Sequence, residues 1–397
     1  MVEWKKMWEV TTWDKKFNGL DRTMQPNVIK YHYYLANELQ DLEDSDGDIR
    51  ILYTTDKIAF AKEEDVLGTI SKGEVVTIPW GGNLSIKYFN GRFVTADNRI
   101  ATSNDINYLS NKFLFYWMLS RYDVIASFYR GAGIKHPSMQ SVLNLEVPIP
   151  TLTEQQRIVD ILDTFTSSID NLKQQVALRR KQFEYYCDKY YGGDFYGMMA
   201  LANNPENTVV TFAELGTITR GKRFVRDDVR ESGQPCIHYG DMYTYYGTKA
   251  YQARTFLDRD FPKTMRYAKK GDVVIVGAGE NDYDIGVGVV WFGNEPAAVH
   301  DACYILEHQQ NPMYISYYLR TNIYHQQLKK YVSSGKISSF SADGLGKVFI
   351  PVQSADKQNE IVASLEKFEA SIVNLEAQLE LRQKQYEYYR SKLLTFE

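Results

Sequence analysis

At 397 residues, 44% apolar and with a formal charge of −4, the chain is long enough for two or three domains with cores of their own. Its three cysteines, Cys187, Cys236 and Cys303, lack CxxC spacing, which argues against a disulfide framework or structural zinc and fits a reducing cytoplasm. No run of about 18 apolar residues offers a membrane span, and "MVEWKKMWEV" lacks a signal-peptide core.

Residues 1–150 read as a globular unit in which short β-like runs, "EVVTIPW" and "RFVTAD", accompany a helix-like segment from Asn111. "DLEDSDGD" (Asp41–Asp48) fails as a calcium loop: with Gly47 at the sixth position, Leu42 falls where the first Asp ligand belongs. It reads as an acidic, solvated loop. Residues 151–192 follow as one long helix, with Thr153 the expected N-cap and Pro150 closing the segment before it. Its apolar positions step by four and three through Ile158, Leu162, Phe165, Ile169, Leu172, Val176, Phe183 and Tyr186, with Arg179 in one slot of the stripe. That alternation marks a coiled-coil seam.

Residues 193–208, "GDFYGMMALANNPENT", read as a linker. A second unit, 209–352, carries "VVIVGAG" and "GVGVVWFG". "VVIVGAGEND" is a turn rather than a dinucleotide fingerprint, because the third glycine is missing and another strand-like run follows. "NPMY" (Asn311–Tyr314) has Met where amine methyltransferases carry a second Pro, and it reads as a helix start. The six His are scattered without ligand or triad spacing, so no catalytic or metal site is expected. A second long helix, 353–397, begins after Ser354 and repeats the seam at Ile361, Leu365, Phe368, Ile372, Leu375, Leu379, Arg382, Tyr386 and Tyr389.

The two helices are copies. "LRRKQFEYYCDKYY" from Leu178 and "LRQKQYEYYRSKLL" from Leu381 stand 203 residues apart, and the same offset superposes Gln155 on Gln358 and Arg179 on Arg382 over about 45 residues. Fainter matches flank them: "KGEVVTI" with "KGDVVIV", and "LNLEVPIP" with "GKVFIP". The expected fold is therefore α+β: two globular domains joined by two long helices in an antiparallel coiled coil, with a pseudo-two-fold internal repeat. A charge on a seam is costly unless paired, which makes Arg179 and Arg382 a register device.

This pattern resembles the specificity (S) subunit of a type I restriction–modification system over the whole chain. The resemblance rests on "VPIPTLTEQQRIVDILDTFTSSIDNL" and its counterpart "IPVQSADKQNEIVASLEKFEASIVNL", where Asp356-Lys357-Gln358 replaces Thr153-Glu154-Gln155. It implies a non-catalytic chain that recognises double-stranded DNA with a split site, one half per domain. The helices would set the spacer and dock two methyltransferase (modification) subunits, with restriction subunits joining the full complex. S-adenosylmethionine would be bound by the methyltransferase partner, with no cofactor in this chain.

Net charge weighs against nucleic-acid binding only as an average, since basic residues cluster in the recognition units. Lys15, Lys16 and Arg22 lie in the first, with "RGAGIKHPS" supplying Arg130, Lys135 and His136. Arg220, Lys222, Arg223, Arg226, Lys263 and Arg266 lie in the second, with "SSGKISS" supplying Lys336 and Ser338. Trp80 and Asn83 of "PWGGN", and Asn281 of "GAGEND", are the expected base contacts, because Asn suits adenine. Lys181, Glu184, Lys384 and Glu387 point outward and are expected to dock partner subunits. A fused methyltransferase and a purely protein-binding scaffold are the alternatives. Methyl transfer by the chain alone would favour the first, and absence of salt-sensitive, sequence-specific DNA binding the second.

Overall fold

The computed structural model describes residues 2–260, 264–279, 285–333, 335 and 337–396. They form two compact units, Met1–Leu172 with Gln378–Glu397, and Lys173–Ala377. Among the described residues no helix is long and apolar enough to cross a membrane.

In the first unit, β1 (Glu3–Lys6) leads into β2 (Thr11–Trp13), β3 (Ile49–Leu52), β4 (Ile58–Ala61), β5 (Ser71–Pro79), β6 (Lys87–Thr95) and β7 (Asn98–Ser103). The sheet order is β2-β7-β5-β6-β3-β4, antiparallel except where β3 meets β6. β4 shows period-two burial, with Ala59 and Ala61 inward and Ile58 and Phe60 outward, as a strand with one face on the core requires. Helix α1 (Asn111–Ser120) starts at Ser110, whose side chain accepts from the Phe113 N–H, and it buries Phe113, Leu114 and Trp117 in the unit's main core. The small ladder of β8 (Tyr129–Arg130) and β9 (His136–Pro137) follows, and then β10 (Glu146–Ile149), which pairs with β1.

The second unit repeats this plan. β11 (Thr208–Thr211) pairs with β23 (Phe349–Val352), as β1 does with β10. A five-stranded sheet runs β12-β21-β17-β19-β14. Its members are β12 (Gly216–Arg220), β14 (Lys249–Ala250), β17 (Val273–Val276), β19 (Gly288–Trp291) and β21 (Cys303–His308). A four-stranded sheet joins β15 (Thr255–Leu257), β13 (Gln234–Ile237), β20 (Ala297–Val299) and β16 (Tyr267–Ala268), while β18 (Ala278–Gly279) pairs with β22 (Ser338–Ser339). β17 pairs antiparallel with β19, and "VVIVGAG" runs through β17 and β18 rather than into a helix. Asn311 caps α2 (Pro312–Tyr318), accepting from the N–H groups of Met313 and Tyr314, as expected of a helix start. The high tyrosine content finds a use here. Tyr191, Tyr314 and Tyr318 are buried, and their hydroxyls donate to the carbonyls of Tyr314, Pro351 and Phe349.

The long helices run Leu152–Tyr190 and Ala355–Leu393, 39 residues each, and each contributes one part to each unit. The first starts two residues earlier than expected: Thr151 rather than Thr153 accepts from the Glu154 N–H, so Thr153 lies inside the helix. The stretch expected as a linker is packed, with a short helix Phe195–Ala200 whose Met198 is buried beside Tyr191.

Within each unit the helices run antiparallel, and the contacts repeat. In the first unit the Tyr389 ring stacks on Phe165 at 5.2 Å and the Arg382 guanidinium lies over Phe165 at 5.6 Å. In the second, Tyr186 stacks on Phe368 at 5.1 Å and Arg179 lies over Phe368 at 5.7 Å. The seam arginines are thus matched by phenyl faces rather than carboxylates. Arg180 adds an ion pair with Glu376 in the second unit. Ile158, Leu162, Ile169, Ile361 and Leu365 are buried; Leu172, Val176, Phe183, Ile372, Leu375, Leu379 and Tyr386 are half-buried. Tyr389 departs from the expected seam burial: it is 40% exposed although its ring stacks on Phe165.

Candidate nucleic-acid interface

In the first unit the end of β5 and the β8–β9 ladder bring the expected residues together. The His136 ring lies 5.1 Å from Trp80, and its Nδ1 donates to the Trp80 carbonyl at 2.7 Å. The Gly82 N–H donates to the Lys135 carbonyl, and Arg130 is the register partner of His136. Gly81 permits this closure: a Cβ there would lie 2.9 Å from Ile134 Cγ2. Trp80 is half-buried, while Asn83, Arg130, Lys135 and His136 are exposed.

Beneath Trp80 sits Arg99, 2% exposed, its guanidinium 4.4 Å from the indole. It donates to the Asn98 carbonyl at 2.8 Å, to Asp97 at 2.7 Å and to Asp14 at 3.2 Å. Burial raises the Asp14 carboxyl above its ordinary value, opposed by hydrogen bonds from Tyr33 and the Ile100 N–H and by the charge of Arg99. Lys15 reaches the same group, 3.8 Å from Asp97 and over the Tyr33 ring at 4.8 Å. Gln25 ties down the loop that follows, donating to the Lys15 carbonyl and accepting from the Phe17 N–H; Lys16 and Arg22 project from that loop.

In the second unit Arg220 ends β12 with its Nε donating to the Asp301 carbonyl, and Arg266 donates to the Arg220 carbonyl at 2.5 Å. Gly221 and Lys222 donate to the carbonyls of Cys303 and Val299. A Cβ at Gly221 would stand 2.2 Å from the His300 carbonyl oxygen, which explains the glycine. Around this strand end Phe224 meets His300 edge-on at 5.0 Å, His238 lies 4.7 Å from His300, and Tyr239 lies 5.3 Å from it. Burial lowers the pKa of both histidines. Each Nδ1 accepts a backbone N–H, His238 from Gly240 and His300 from Ala302, which leaves the proton on Nε2. Arg220, Lys222, Arg223, Arg226 and Arg266 are exposed around the cluster.

Ser338 corrects an expectation. It is 5% exposed, because β22 turns it inward where it pairs with Gly279, so its side chain is not available to a ligand. Lys263, Asn281 and Lys336 lie outside the described residues. The positions that motif reading missed are Arg99, Tyr33, His238, Tyr239 and His300. Arg99 and Tyr33 carried no local pattern. His238 and His300 become neighbours because β13 pairs in parallel with β20, placing Ile237 opposite Val299. Among the described residues no group of three or more His, Cys, Asp and Glu could hold a metal ion. Cys187, Cys236 and Cys303 are buried free thiols, and burial pushes Cys187 up to about 12 and Cys236 to about 11.

Each unit therefore presents exposed cations around an aromatic platform, a chemistry suited to phosphates and base edges. Comparison with known proteins agrees with that chemistry. The family described as "Type I restriction modification DNA specificity domain" matches the chain twice, at residues 21–178 and 204–382. A putative type I restriction enzyme specificity subunit of Haemophilus influenzae is 27% identical over 365 residues, covering 84% of this chain and 86% of that one. The EcoR124I/EcoR124II specificity subunit of Escherichia coli is 24% identical over 327 residues, covering 75% and 74%. The crystal structure of a type I system S subunit from M. genitalium shares the fold, with a TM-score of 0.60 at 17% identity over 100% of this chain and 97% of that one. Carrying two copies of that domain, each with a basic and aromatic surface of its own, the chain belongs to the type I restriction–modification DNA specificity family, whose members supply DNA recognition and no catalysis.

Proposed function

We propose that each unit reads one half of a split double-stranded DNA site and that the two long helices set the unread gap between the halves. The observation that carries this is the duplication. Two units of one plan hold different residues at their basic surfaces, Trp80 with His136 in the first and His238 with His300 in the second, so each suits a different sequence. A 39-residue helix is roughly 58 Å long at ~1.5 Å per residue, and a turn of DNA advances ~34 Å. The Trp80, Lys15 and Lys135 surface, and the Arg220, Lys222, Arg226 and Arg266 surface, would make the DNA contacts. The chain would work in the cytoplasm with two methyltransferase subunits, which bind S-adenosylmethionine and methylate adenine, and with restriction subunits in the full complex.

Mapping methylated adenines in cells that express this chain with its methyltransferase partner tests the reading. It predicts one split motif whose halves change independently: substitutions at Trp80 and Asn83 alter one half, and those at Lys222 and Arg226 alter the other. A contiguous motif, or one whose halves always change together, would refute it.

A further inference from the structure

Each basic surface carries a solvent-accessible carboxylate at the same place in the fold. Asp97 lies between β6 and β7, and Asp301 between β20 and β21. β7 pairs with β2, just before Lys15, and β21 pairs with β12, which ends in Arg220, so each aspartate stands beside a basic strand end. The backbone carbonyl of each is held by a residue of that surface. The Trp80 N–H donates to the Asp97 carbonyl at 3.0 Å, and Arg220 Nε donates to that of Asp301 at 2.7 Å. The side chains stay open to solvent, at 54% for Asp97 and 35% for Asp301.

Neither carboxylate is needed to neutralise a buried cation. Arg99 already has the fully buried Asp14 at 3.2 Å. Asp97 meets Arg99 at 2.7 Å and Lys15 at 3.8 Å through Oδ1 in both cases, which leaves Oδ2 for a ligand. The Asp301 carboxylate stands 3.2 Å from the His300 ring, whose charged form burial disfavours. A carboxylate facing DNA repels every phosphate and weakens binding to any sequence. Among base edges it is attracted to exocyclic amines. In the major groove adenine sets its N7 acceptor beside the N6 amine, and thymine presents the O4 acceptor, whereas cytosine presents the N4 donor alone. We infer, on the basis of the split-site reading, that Asp97 and Asp301 are specificity-determining residues that each accept from the N4 amine of one cytosine, Asp97 in the half-site of the first unit and Asp301 in that of the second. Arg99 is then the positioning residue for Asp97, because its guanidinium fixes Oδ1 and aims the other oxygen outward.

The test uses the full chain co-expressed with the methyltransferase subunit of its own system. Methylation mapping of the wild-type complex gives the motif. Binding is then titrated on that duplex, on duplexes with each C·G pair changed in turn to T·A, and on an unrelated duplex. In wild type, one such change in each half is expected to cost roughly 10-fold or more in affinity. Asp97→Asn keeps the side-chain shape and an oxygen for Arg99. It is expected to abolish the penalty in the first half, to leave that in the second half intact, and to tighten binding to the unrelated duplex as a repulsive charge is lost. Asp301→Asn is expected to do the converse. A merely structural role would weaken binding to the motif and to the unrelated duplex in equal proportion, and that result would overturn the assignment. So would an unchanged C·G penalty in both variants, whatever the affinity. A contiguous wild-type motif would refute the split-site reading, and the Asp97→Asn comparison on that motif would still decide whether the carboxylate reads a base.

Discussion

At the scale of single residues, Arg99 shows how a buried charge prepares a surface. Its guanidinium is held by Asp14, Asp97 and the Asn98 carbonyl, and in turn lies against the Trp80 indole. Arg99→Met removes one member of a buried pair and leaves the Asp14 carboxylate uncompensated, which should cost about 3 kcal/mol in denaturant unfolding. Lys135 is exposed and needs no such support, so Lys135→Ala should leave stability unchanged. If it neutralises one phosphate, it should reduce the slope of log affinity against log salt by ~0.9. A slope unchanged within error would remove Lys135 from the interface. At the seam, Phe165 and Phe368 each contact a tyrosine ring and an arginine. The expectation that Arg179 and Arg382 fix register gains a mechanism from this, since a guanidinium over a ring tolerates the partly apolar seam that a carboxylate pair would not.

At the scale of elements, the repeated glutamine joins each long helix to its globular domain. Gln155 is fully buried; it accepts from the Ser110 N–H at 2.8 Å and donates to the carbonyls of Tyr108 and Pro150 at 2.9 Å. Gln358 does the same in the second unit, accepting from the Asn311 N–H at 3.0 Å and donating to Gln310 and the Gln353 carbonyl. Gln155→Ala strands three polar groups and should destabilise the first unit by about 2 kcal/mol or more, with faster amide exchange at Ser110. The end of β21 offers a pH test. Burial lowers the His308 pKa to about 4, while its Nδ1 accepts from the Gln310 N–H. An unfolded histidine titrates near ~6.5, so below that pH the unfolded chain binds a proton that the folded chain refuses. Stability from this residue is complete above about pH 6.5 and is lost as pH falls toward 4, by up to ~1.4 kcal/mol per pH unit. His308→Asn should flatten the fall in melting temperature over that window. The repeat was legible in the sequence because buried contacts such as those of Gln155 and Gln358 demand the same side chain at the same helical position. The helix start was misplaced by two residues because Thr151 and Thr153 both offer a capping hydroxyl, and only the backbone path selects one.

For the whole molecule, the split between legible and illegible follows sequence distance. Helix seams are local and periodic, so their residues announce themselves. The proposed reading surfaces are assembled from loops whose adjacency depends on sheet register, as with His238 and His300 beside the β13–β20 pair. That division has a consequence for the proposed spacer. Residues 169–175 lie between Phe165 and Arg179, and residues 372–378 lie between Phe368 and Arg382. Removing both segments deletes one heptad from each helix while keeping every member of the two arginine–phenylalanine–tyrosine contacts and the phase of the stripe. Each helix loses about 10 Å at ~1.5 Å per residue, equal to about 3 base pairs at ~3.4 Å each. Neither reading surface is touched. Adenine-methylation mapping of the double deletion should therefore return the same two half-sites with a spacer shorter by about 3 base pairs. Deleting one heptad from a single helix mismatches the seam and should lower stability and methylation together. Altered half-sites in the double deletion, or an unchanged spacer, would show that the helices hold the units without measuring the DNA between them.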